Sequence, residues 1–400
     1  MLRSRPLAAR ARRVAIFAVV PALLAGAVTA WVLARPLGPH RLTRLAQPSG
    51  QALRLPDNPD TAASSAFRMA VIRHYGLPAN ASGYSVILVT GAQQAWAFGG
   101  TNPGGPSAPV AALWNGGTTA TVTLPAGLTS FISDASATSS SDVWAASQYG
   151  RYLLHFDGVR WQVARRWQQG QVTGVTAVTP ADVWVFGTSA DGTSAIGTWH
   201  YDGLAWQRVA GLAGSIVRAS ALSASDIWAI AASPASYSVV RFDGTEWQQV
   251  PTGTALDSVH VRDILAISGS DVWVLGDKSD GSGGVRLVLL HWNGAGWASL
   301  VTPVNAWAGR LAAGPDRTVL VTATPASASA SGLMVQASAP GGRLVISPRS
   351  WLSTGGISDV ALAGRAGGSL WVSGAVLTRI GGDAVIWSGQ LASPGGRVGA

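Results

Sequence analysis

The sequence predicts an all-β fold assembled from repeated units, and three observations lead to this prediction. A short motif centred on tryptophan recurs along the 400 residues at a nearly constant spacing. Each repeat contains short apolar runs separated by turn-forming residues, which is the pattern of antiparallel strands joined by hairpins. Lysine and glutamate, two good helix formers, occur only once each, as Lys278 and Glu246, whereas glycine supplies 49 residues.

The repeat has two parts, an Asp-Val-Trp or Asp-Ile-Trp segment and a later hairpin that ends in a second tryptophan. Its four full copies occupy 142–161, 182–206, 226–247 and 271–297. Weaker copies surround Trp96 and Trp371, and a degenerate unit has Val319 in place of the first tryptophan. The motif position therefore falls at residues 96, 144, 184, 228, 273, 319 and 371, in steps of 40 to 52. Seven such units predict a seven-bladed β-propeller of four-stranded antiparallel blades.

The elements of one blade can be followed in the copy from Gly170 to Val209. An innermost strand comes first, then a turn, and then a short, strongly apolar second strand buried between blades. A third strand follows a polar loop, and the Asp202-Gly203 pair indicates a tight hairpin into the fourth strand. The predicted strands are 172–178, 183–187, 196–201 and 206–209. One blade cannot bury both of its faces alone, so we expect stability from stacked blades and a closed ring.

The repeated polar and aromatic residues are expected to be structural. The aspartate of each motif should cap its turn by accepting backbone amides, and the tryptophans should fill the space between blades. Three histidines share one slot in different blades, whereas metal ligands must converge within a few ångströms, so we expect neither a metal nor another cofactor. These residues are Asp142, Asp182, Asp226 and Asp271; Trp144, Trp161, Trp184, Trp206, Trp228, Trp247, Trp273 and Trp297; and His155, His200 and His291.

The first 34 residues predict a single-pass anchor in the plasma membrane. A basic tail, 1–13, carries five arginines and no acid, and the 21 residues of 14–34 carry no charge. A helix of that length spans about 30 Å, the thickness of the hydrocarbon core, and the arginines place the tail in the cytoplasm. The alternative is a signal peptide cleaved near 28–30, after which the protein would be secreted. We favour the anchor because signal-peptide cores usually have about 7–15 residues.

The remaining chain divides into three predicted parts. Residues 35–83 are expected to form a proline-containing stalk with one short helix over 61–75, whose apolar run 69–72 packs on the rim of the propeller. The propeller is assigned to 84–391 and a C-terminal tail to 392–400. The last unit has only three strands. Its fourth strand is expected from an N-terminal segment, unless the ring closes on its innermost strands alone.

Charge and cysteine content restrict the possible functions. The formal net charge is +9, but five of these charges lie in the basic tail, so nucleic acid is not an expected partner. The chain has no cysteine, which excludes disulfides, thiolate metal sites, cysteine nucleophiles and lipid attachment to cysteine. We expect a monomer.

The combination Asp-[Val/Ile]-Trp-x-x-[Gly/Ala/Ser], then [His/Arg]-aromatic-[Asp/Asn]-Gly-x-x-Trp, resembles propeller repeats common in secreted and surface proteins of bacteria. It is most similar to the kelch and galactose-oxidase-like grouping, and more loosely to photosystem assembly-factor propellers. The resemblance covers about Tyr84 to Leu391 and implies the fold rather than a function. The four full copies lack the paired glycine of kelch blades, and the spacing of sialidase Asp-boxes differs. No catalytic residue of these families is therefore carried over.

Charged residues of the innermost strands form the first candidate site. Asp134, Arg218 and Asp263 each stand eight residues before the aspartate of their motif. Such positions lie near the mouth of the central channel of a propeller. The side chains there either pair with each other or bind a polar ligand on the axis. The complete candidate ligand-binding set is Asp134, Arg218, Arg262, Asp263, Arg310 and Asp359.

Three tryptophans outside the motif form the second candidate site. Trp167, Trp307 and Trp351 lie in or next to the connections between blades. An exposed indole there would contact a partner or stack on a sugar. The alternative is that these side chains only cover the rim.

These observations predict a membrane-anchored, extracytoplasmic binding or scaffold module for an envelope protein or a cell-wall glycan, without catalytic activity. The alternative is an extracytoplasmic polysaccharide hydrolase or lyase with its active site at the channel mouth. Glycoside hydrolysis needs two acids poised across the scissile bond. Since Glu246 lies in a hairpin turn, an enzyme would depend on aspartates such as Asp134, Asp263 and Asp359.

Overall fold

A computed structural model confirms the all-β prediction, because none of the residues that it describes forms an α-helix. Those residues are 68–72, 82–101, 107–188, 196–209, 215–314, 317–326, 332–340, 344–350, 355–363, 369–378 and 381–390. Within these ranges, no helix is long and apolar enough to cross a membrane. The predicted anchor 14–34, the basic tail 1–13 and the C-terminal tail 392–400 lie outside the described residues.

The strands form six sheets, and five of these sheets have four strands each. Strand β1 (Arg68–Ile72) joins the last sheet, and the first sheet comprises β2 (Ser82–Gly91), β3 (Gln94–Thr101), β4 (Ala108–Asn115) and β5 (Thr118–Thr121). The second sheet comprises β6 (Asp134–Ser139), β7 (Asp142–Ser147), β8 (Tyr152–Phe156) and β9 (Trp161–Arg166). The third comprises β10 (Gln171–Thr179), β11 (Asp182–Thr188), β12 (Thr198–Tyr201) and β13 (Trp206–Val209). The strands predicted from the copy at 170–209 are thus confirmed to within two residues.

The fourth sheet comprises β14 (Ser215–Ser223), β15 (Asp226–Ala232), β16 (Tyr237–Phe242) and β17 (Trp247–Val250). The fifth has seven strands: β18 (His260–Ser268), β19 (Asp271–Ser279), β20 (Val285–Trp292), β21 (Trp297–Ala313), β22 (Val319–Pro325), β23 (Leu333–Ser338) and β24 (Val345–Ser350). Strand β21 pairs with β20 through 297–305 and with β22 through 306–313. The last sheet comprises β25 (Gly355–Ala363), β26 (Ser369–Thr378), β27 (Gly381–Gln390) and β1. The arrangement is propeller-like.

The core lies between neighbouring sheets, as the apolar second strands predict. Val183, Val185 and Ile196 of the third sheet pack against Trp144 and Leu153 of the second. The same contact is repeated around the molecule, with a motif tryptophan at most 3% exposed each time. The tryptophans at the motif position are Trp96, Trp144, Trp184, Trp228, Trp273 and Trp371. Burial of such large apolar side chains is the main source of stability in an arrangement of this kind.

The aspartates of the motif do not cap their turns, and this part of the prediction is wrong. The turn amide is taken by a hydroxyl instead: Ala181 N donates to Thr179 Oγ1 at 3.2 Å. This leaves the Asp182 carboxylate free to accept from Trp184 Nε1 at 2.8 Å and to bond His200 Nε2 at 2.9 Å. The equivalent pairs are His155 with Asp142 at 2.6 Å, Arg241 with Asp226 at 2.7 Å and His291 with Asp271 at 3.0 Å.

The histidines of these pairs are structural, as predicted. Each ring also lies against the tryptophan of its own motif, with ring centroids 4.0 Å apart for Trp144 and His155 and 4.3 Å apart for Trp184 and His200. The chain thus repeats an Asp-His-Trp cluster that fastens the second strand of a sheet to the third. No group of three or more His, Cys, Asp or Glu side chains in the described ranges could hold a metal.

The segment 68–72 is a strand, although a helix was predicted over 61–75. Strand β1 pairs antiparallel with β27, with Arg68 opposite Ser388 and Ile72 opposite Ala384. Pairing satisfies the backbone groups at the open edge of β27, which a helix would leave without partners. An N-terminal segment therefore supplies the fourth strand of the last sheet, which was one of the two expected routes to closure. The other residues of the predicted stalk and helix up to 81 lie outside the described residues.

Candidate functional site

The innermost strands of neighbouring sheets run parallel and are joined by side chains. Asp134 Oδ2 and Ser136 Oγ of β6 accept hydrogen bonds from Val175 N and Ala177 N of β10, both at 2.9 Å. The two bonds join residues at the same sequence separation, as parallel strands require. We call the end of the sheets at which innermost strands begin the upper end, and the opposite end the lower end.

Three of the predicted acids make the same contact around the ring. Each aspartate accepts a hydrogen bond from a backbone amide of the next innermost strand. The bonds run from Val175 N to Asp134 Oδ2 at 2.9 Å, from Leu311 N to Asp263 Oδ2 at 2.7 Å, and from Ile87 N to Asp359 Oδ2 at 3.0 Å. The last bond joins β25 to β2 and so connects the final sheet to the first. These carboxylates therefore stabilise the ring itself.

Arg310 crosses the space that the innermost strands enclose. Its Nη2 donates to Ser133 O at 3.0 Å and lies 3.7 Å from Asp134 Oδ1, whereas its Nη1 lies 3.9 Å from Asp263 Oδ1. Asp263 belongs to the neighbouring strand β18, but Asp134 belongs to β6, which neighbours β2 and β10 instead. One guanidinium thus ties together strands from different sides of the channel.

Arg218 completes the central cluster beside a glycine. Its Nη1 donates to Thr173 O of β10 and, at 3.3 Å, to Val217 O. A Cβ placed on Gly174 would approach Asp134 Oδ2 to 2.9 Å and lie 3.9 Å from Arg218 Nη1. The absent side chain at Gly174 leaves room for the two charged groups of neighbouring strands. Neither Gly174 nor Ser136 was identified as a site residue from the sequence, although their register with Asp134 could have shown them.

Burial and neighbouring charges shift the pKa values of the residues in the cluster. Burial raises the pKa of Asp359 to about 7, against the opposing effects of Arg310 and of the amides of Ile87 and Val360. Burial likewise raises the pKa of Asp263, although Arg310 opposes the shift. For Arg310, burial acts to lower the pKa, but Asp263, Asp134 and Asp359 outweigh it and raise the pKa. Burial and the charge of Arg310 lower the pKa of Arg218.

The structure brings together five of the six predicted channel residues. Asp134, Arg218, Asp263, Arg310 and Asp359 form the central cluster. Arg262 stands apart, because its Nε donates to Asp277 Oδ2 at 2.9 Å on the adjacent strand β19. The interpretation that these charges pair with each other is therefore confirmed for Asp134, Asp263 and Arg310.

The rim tryptophans differ in exposure. Trp307 is 39% exposed. It lies in the middle of β21, at the upper end of the sheets, where the innermost half of this strand begins. Trp167 joins β9 to β10 and is half-buried against the cluster of Trp144 and Leu153. Trp351 lies outside the described residues. Of this set, Trp307 is the described indole with a free surface for a partner.

Comparisons with known proteins support a β-propeller. No protein-family model and no curated protein sequence matches the chain. Solved structures do match: YCF48 bound to a D1 peptide is 14% identical, with a TM-score of 0.54 over 87% of this chain and 100% of that chain. YCF48 from Cyanidioschyzon merolae is also 14% identical, with a TM-score of 0.52 over 81% and 99% of the two chains.

The solved structure of an enzyme is similar to this chain to nearly the same degree. A catalytically inactive virginiamycin B lyase from Staphylococcus aureus, solved with quinupristin, is 11% identical, with a TM-score of 0.50 over 80% of this chain and 99% of that chain. At such identities the likeness shows the fold alone. It lends no support to the kelch and galactose-oxidase-like grouping, which stays a prediction from the repeat motif.

Proposed function

We propose that this protein is a non-catalytic binding or scaffold module, anchored in the plasma membrane by 14–34 and exposed outside the cell. Its ligand is an envelope protein or a cell-wall glycan. The observation that carries the proposal is an exposed stripe on β21. Alternate residues Val301, Pro303, Asn305 and Trp307 are exposed, whereas 302 and 306 are buried. Val301 is 54% exposed and Trp307 39%. An exposed stripe that contains a valine, a proline and a tryptophan is typical of interaction surfaces.

The central cluster supports a binding role rather than catalysis. Asp134, Asp263 and Asp359 each hold a backbone amide of the next strand, and Arg310 lies between two of them. These carboxylates are hydrogen-bonded within the protein and stabilise its fold. The ligand is therefore expected on the outer surface of the sheets and not on the axis.

We infer that the seven-stranded sheet consists of two blades that share β21, which gives a ring of seven. The two halves of β21 pair with different strands, and the second half carries Arg310 in the central cluster. A propeller with YCF48-like architecture is compatible with a protein partner, since YCF48 has been solved with a bound D1 peptide. That likeness supports the proposal through the fold only.

The experiment is affinity capture with the full-length protein in mild detergent from solubilised envelopes. The Trp307→Ala variant is expected to lose its partner because truncation removes a large exposed apolar contact. Leu204→Ala is the matched control, since Leu204 is 92% exposed in the β12–β13 hairpin at the lower end. Unchanged capture by Trp307→Ala, or equal loss with Leu204→Ala, would overturn the stripe as the binding surface.

One observation favours the alternative, an extracytoplasmic polysaccharide hydrolase or lyase. The carboxyl of Asp359, with a pKa raised by burial to about 7, would hold a proton near neutral pH as a general acid must. Turnover of a polysaccharide by the wild-type protein, abolished in Asp359→Asn, would replace the binding proposal with this one.

A further inference from the structure

Three arginines at the upper end of the second sheet form no ion pair within the described part of the chain. These are Arg151, Arg165 and Arg166. Four arginines of later sheets behave differently: Arg241, Arg262, Arg286 and Arg310 all lie within 4.0 Å of a carboxylate. We call Arg151, Arg165 and Arg166 the arginine patch.

Arg165 is held by aromatic rings instead of a carboxylate. Its guanidinium carbon lies 3.8 Å from the ring centroid of Trp199, 5.5 Å from that of Trp167 and 5.9 Å from that of Trp206. Its Nε is buried without a hydrogen-bond partner in the described residues, and burial lowers its pKa. Stacking on indole fixes the plane of the guanidinium without neutralising its charge. The side chain is therefore preorganised for an anion.

The described acids nearest in sequence cannot neutralise the patch. Asp157 lies in the β8–β9 hairpin at the lower end, where it accepts from Val159 N and Arg160 N at 2.9 Å. Asp202 occupies the corresponding place in the next sheet, where it accepts from Leu204 N and Ala205 N. Neither of these acids reaches the upper end, where the arginine patch lies, and positive surfaces of this kind attract anionic ligands.

Amide side chains lie at the same end of the sheets as the patch. Gln148 Nε2 donates to Gln171 Oε1 at 3.0 Å, and both residues lie at the upper end. Gln168 and Gln169 are exposed in the connection between β9 and β10. Carboxamides donate and accept hydrogen bonds, so they suit the hydroxyl groups of a sugar.

We propose that the arginine patch binds an anionic polysaccharide, a glycan chain that carries phosphate or carboxylate groups. The guanidinium fork matches either anion in a bidentate manner. Arg165 faces the third sheet through Trp199, whereas Arg166 lies on the opposite side of β9, 5.8 Å from the ring of Tyr152. A single anion would reach one side of β9, but a chain with repeated anions engages both. The arginine patch is a second surface, separate from the exposed stripe on β21, so this inference goes beyond the proposed function.

The test measures binding of the full-length protein in mild detergent to four polymers. Polygalacturonate and phosphorylated dextran are the anionic glycans, unmodified dextran is the neutral control, and poly-glutamate is the polypeptide control. We expect binding to both anionic glycans, weakening as NaCl rises from about 50 to about 300 mM, and none to dextran. The double variant Arg151→Gln/Arg166→Gln should bind about tenfold more weakly, a loss of about 1.4 kcal/mol, because two charge-assisted contacts are removed.

The matched control is Arg160→Gln/Arg317→Gln, which removes the same charge from exposed arginines at the lower end. It should bind like the wild type, and circular dichroism should show the same fold for all three proteins. Equal binding by the patch variant, equal loss in the control, or tighter binding of poly-glutamate than of either glycan would overturn the inference. Capture through Trp307 is independent of these polymers, so failure here and failure of the proposed function are distinguishable.

Discussion

The aspartates of the innermost strands are hydrogen-bonded to backbone amides, and Arg310 lies close to two of them. The shift in pKa matters most at Asp359. This residue is 9% exposed and joins the last innermost strand to the first, because it accepts a hydrogen bond from Ile87 N. Burial raises its pKa to about 7 from the ordinary 3.8, so the folded state holds the proton more tightly than the unfolded state does. Folding stability from this group is therefore complete at low pH and is lost as the pH rises towards 7.

We expect Asp359→Asn to gain stability relative to the wild type as the pH rises from about 5.5 to about 8. Asparagine keeps a carbonyl oxygen for Ile87 N and cannot ionise, so the variant avoids a cost on the order of a few kcal/mol. Denaturant unfolding at both pH values measures the difference. Asp257→Asn, at an exposed position, is the control that removes the same charge. A relative loss of stability for Asp359→Asn at the higher pH would contradict the assignment.

At the scale of strands and turns, the sequence predicts what depends on local pattern. The apolar second strands, the Asp202-Gly203 hairpin and the buried tryptophans follow from alternation and turn chemistry, and all are confirmed. The role of Asp182 could not be predicted, because Thr179 competes for the same turn amide and His200 approaches only when β12 pairs with β11. The strand at 68–72 escaped prediction because its partner β27 lies more than 300 residues away, and pairing overrides local preference.

The pairing of β1 with β27 predicts a disulfide between introduced cysteines at Arg68 and Ser388, which face each other in the register. The chain has no native cysteine, so the result is unambiguous. Mild oxidation of Arg68→Cys/Ser388→Cys should give a cross-linked species that migrates faster on a non-reducing gel. Arg68→Cys/Ser299→Cys, with its second cysteine on β21, should stay reduced. Failure of the first pair to oxidise, or oxidation of both pairs, would contradict the register.

At the scale of the whole molecule, the last sheet is joined to the first sheet and is also completed by an N-terminal strand. The innermost strands β25 and β2 are joined by Asp359 and Ile87, and Trp371 and Ile386 of the last sheet pack with Ile87 and Ala97 of the first. The outer edge of the last sheet is covered by β1, which precedes the repeats in sequence. A segment that precedes the repeats in sequence thus completes the last sheet.

Single cysteines test the proposed topology in intact cells. Ser4→Cys lies in the predicted cytoplasmic tail, and Ser282→Cys lies in the exposed β19–β20 connection. A membrane-impermeant maleimide should label Ser282→Cys in intact cells and Ser4→Cys only after permeabilisation, because the arginine-rich tail stays inside. Loss of Ser4→Cys from the mature protein would indicate a cleaved signal peptide, and labelling of neither cysteine before permeabilisation would contradict the outward orientation.

The most direct measurement is photo-crosslinking in living cells with p-benzoylphenylalanine placed at position 307, and at position 204 as the control. If β21 carries the binding surface, light should produce an adduct of defined mass at 307 and none at 204. An adduct at 204, or none at 307 with the protein folded and present in the envelope, would contradict the central claim that this surface binds an envelope partner.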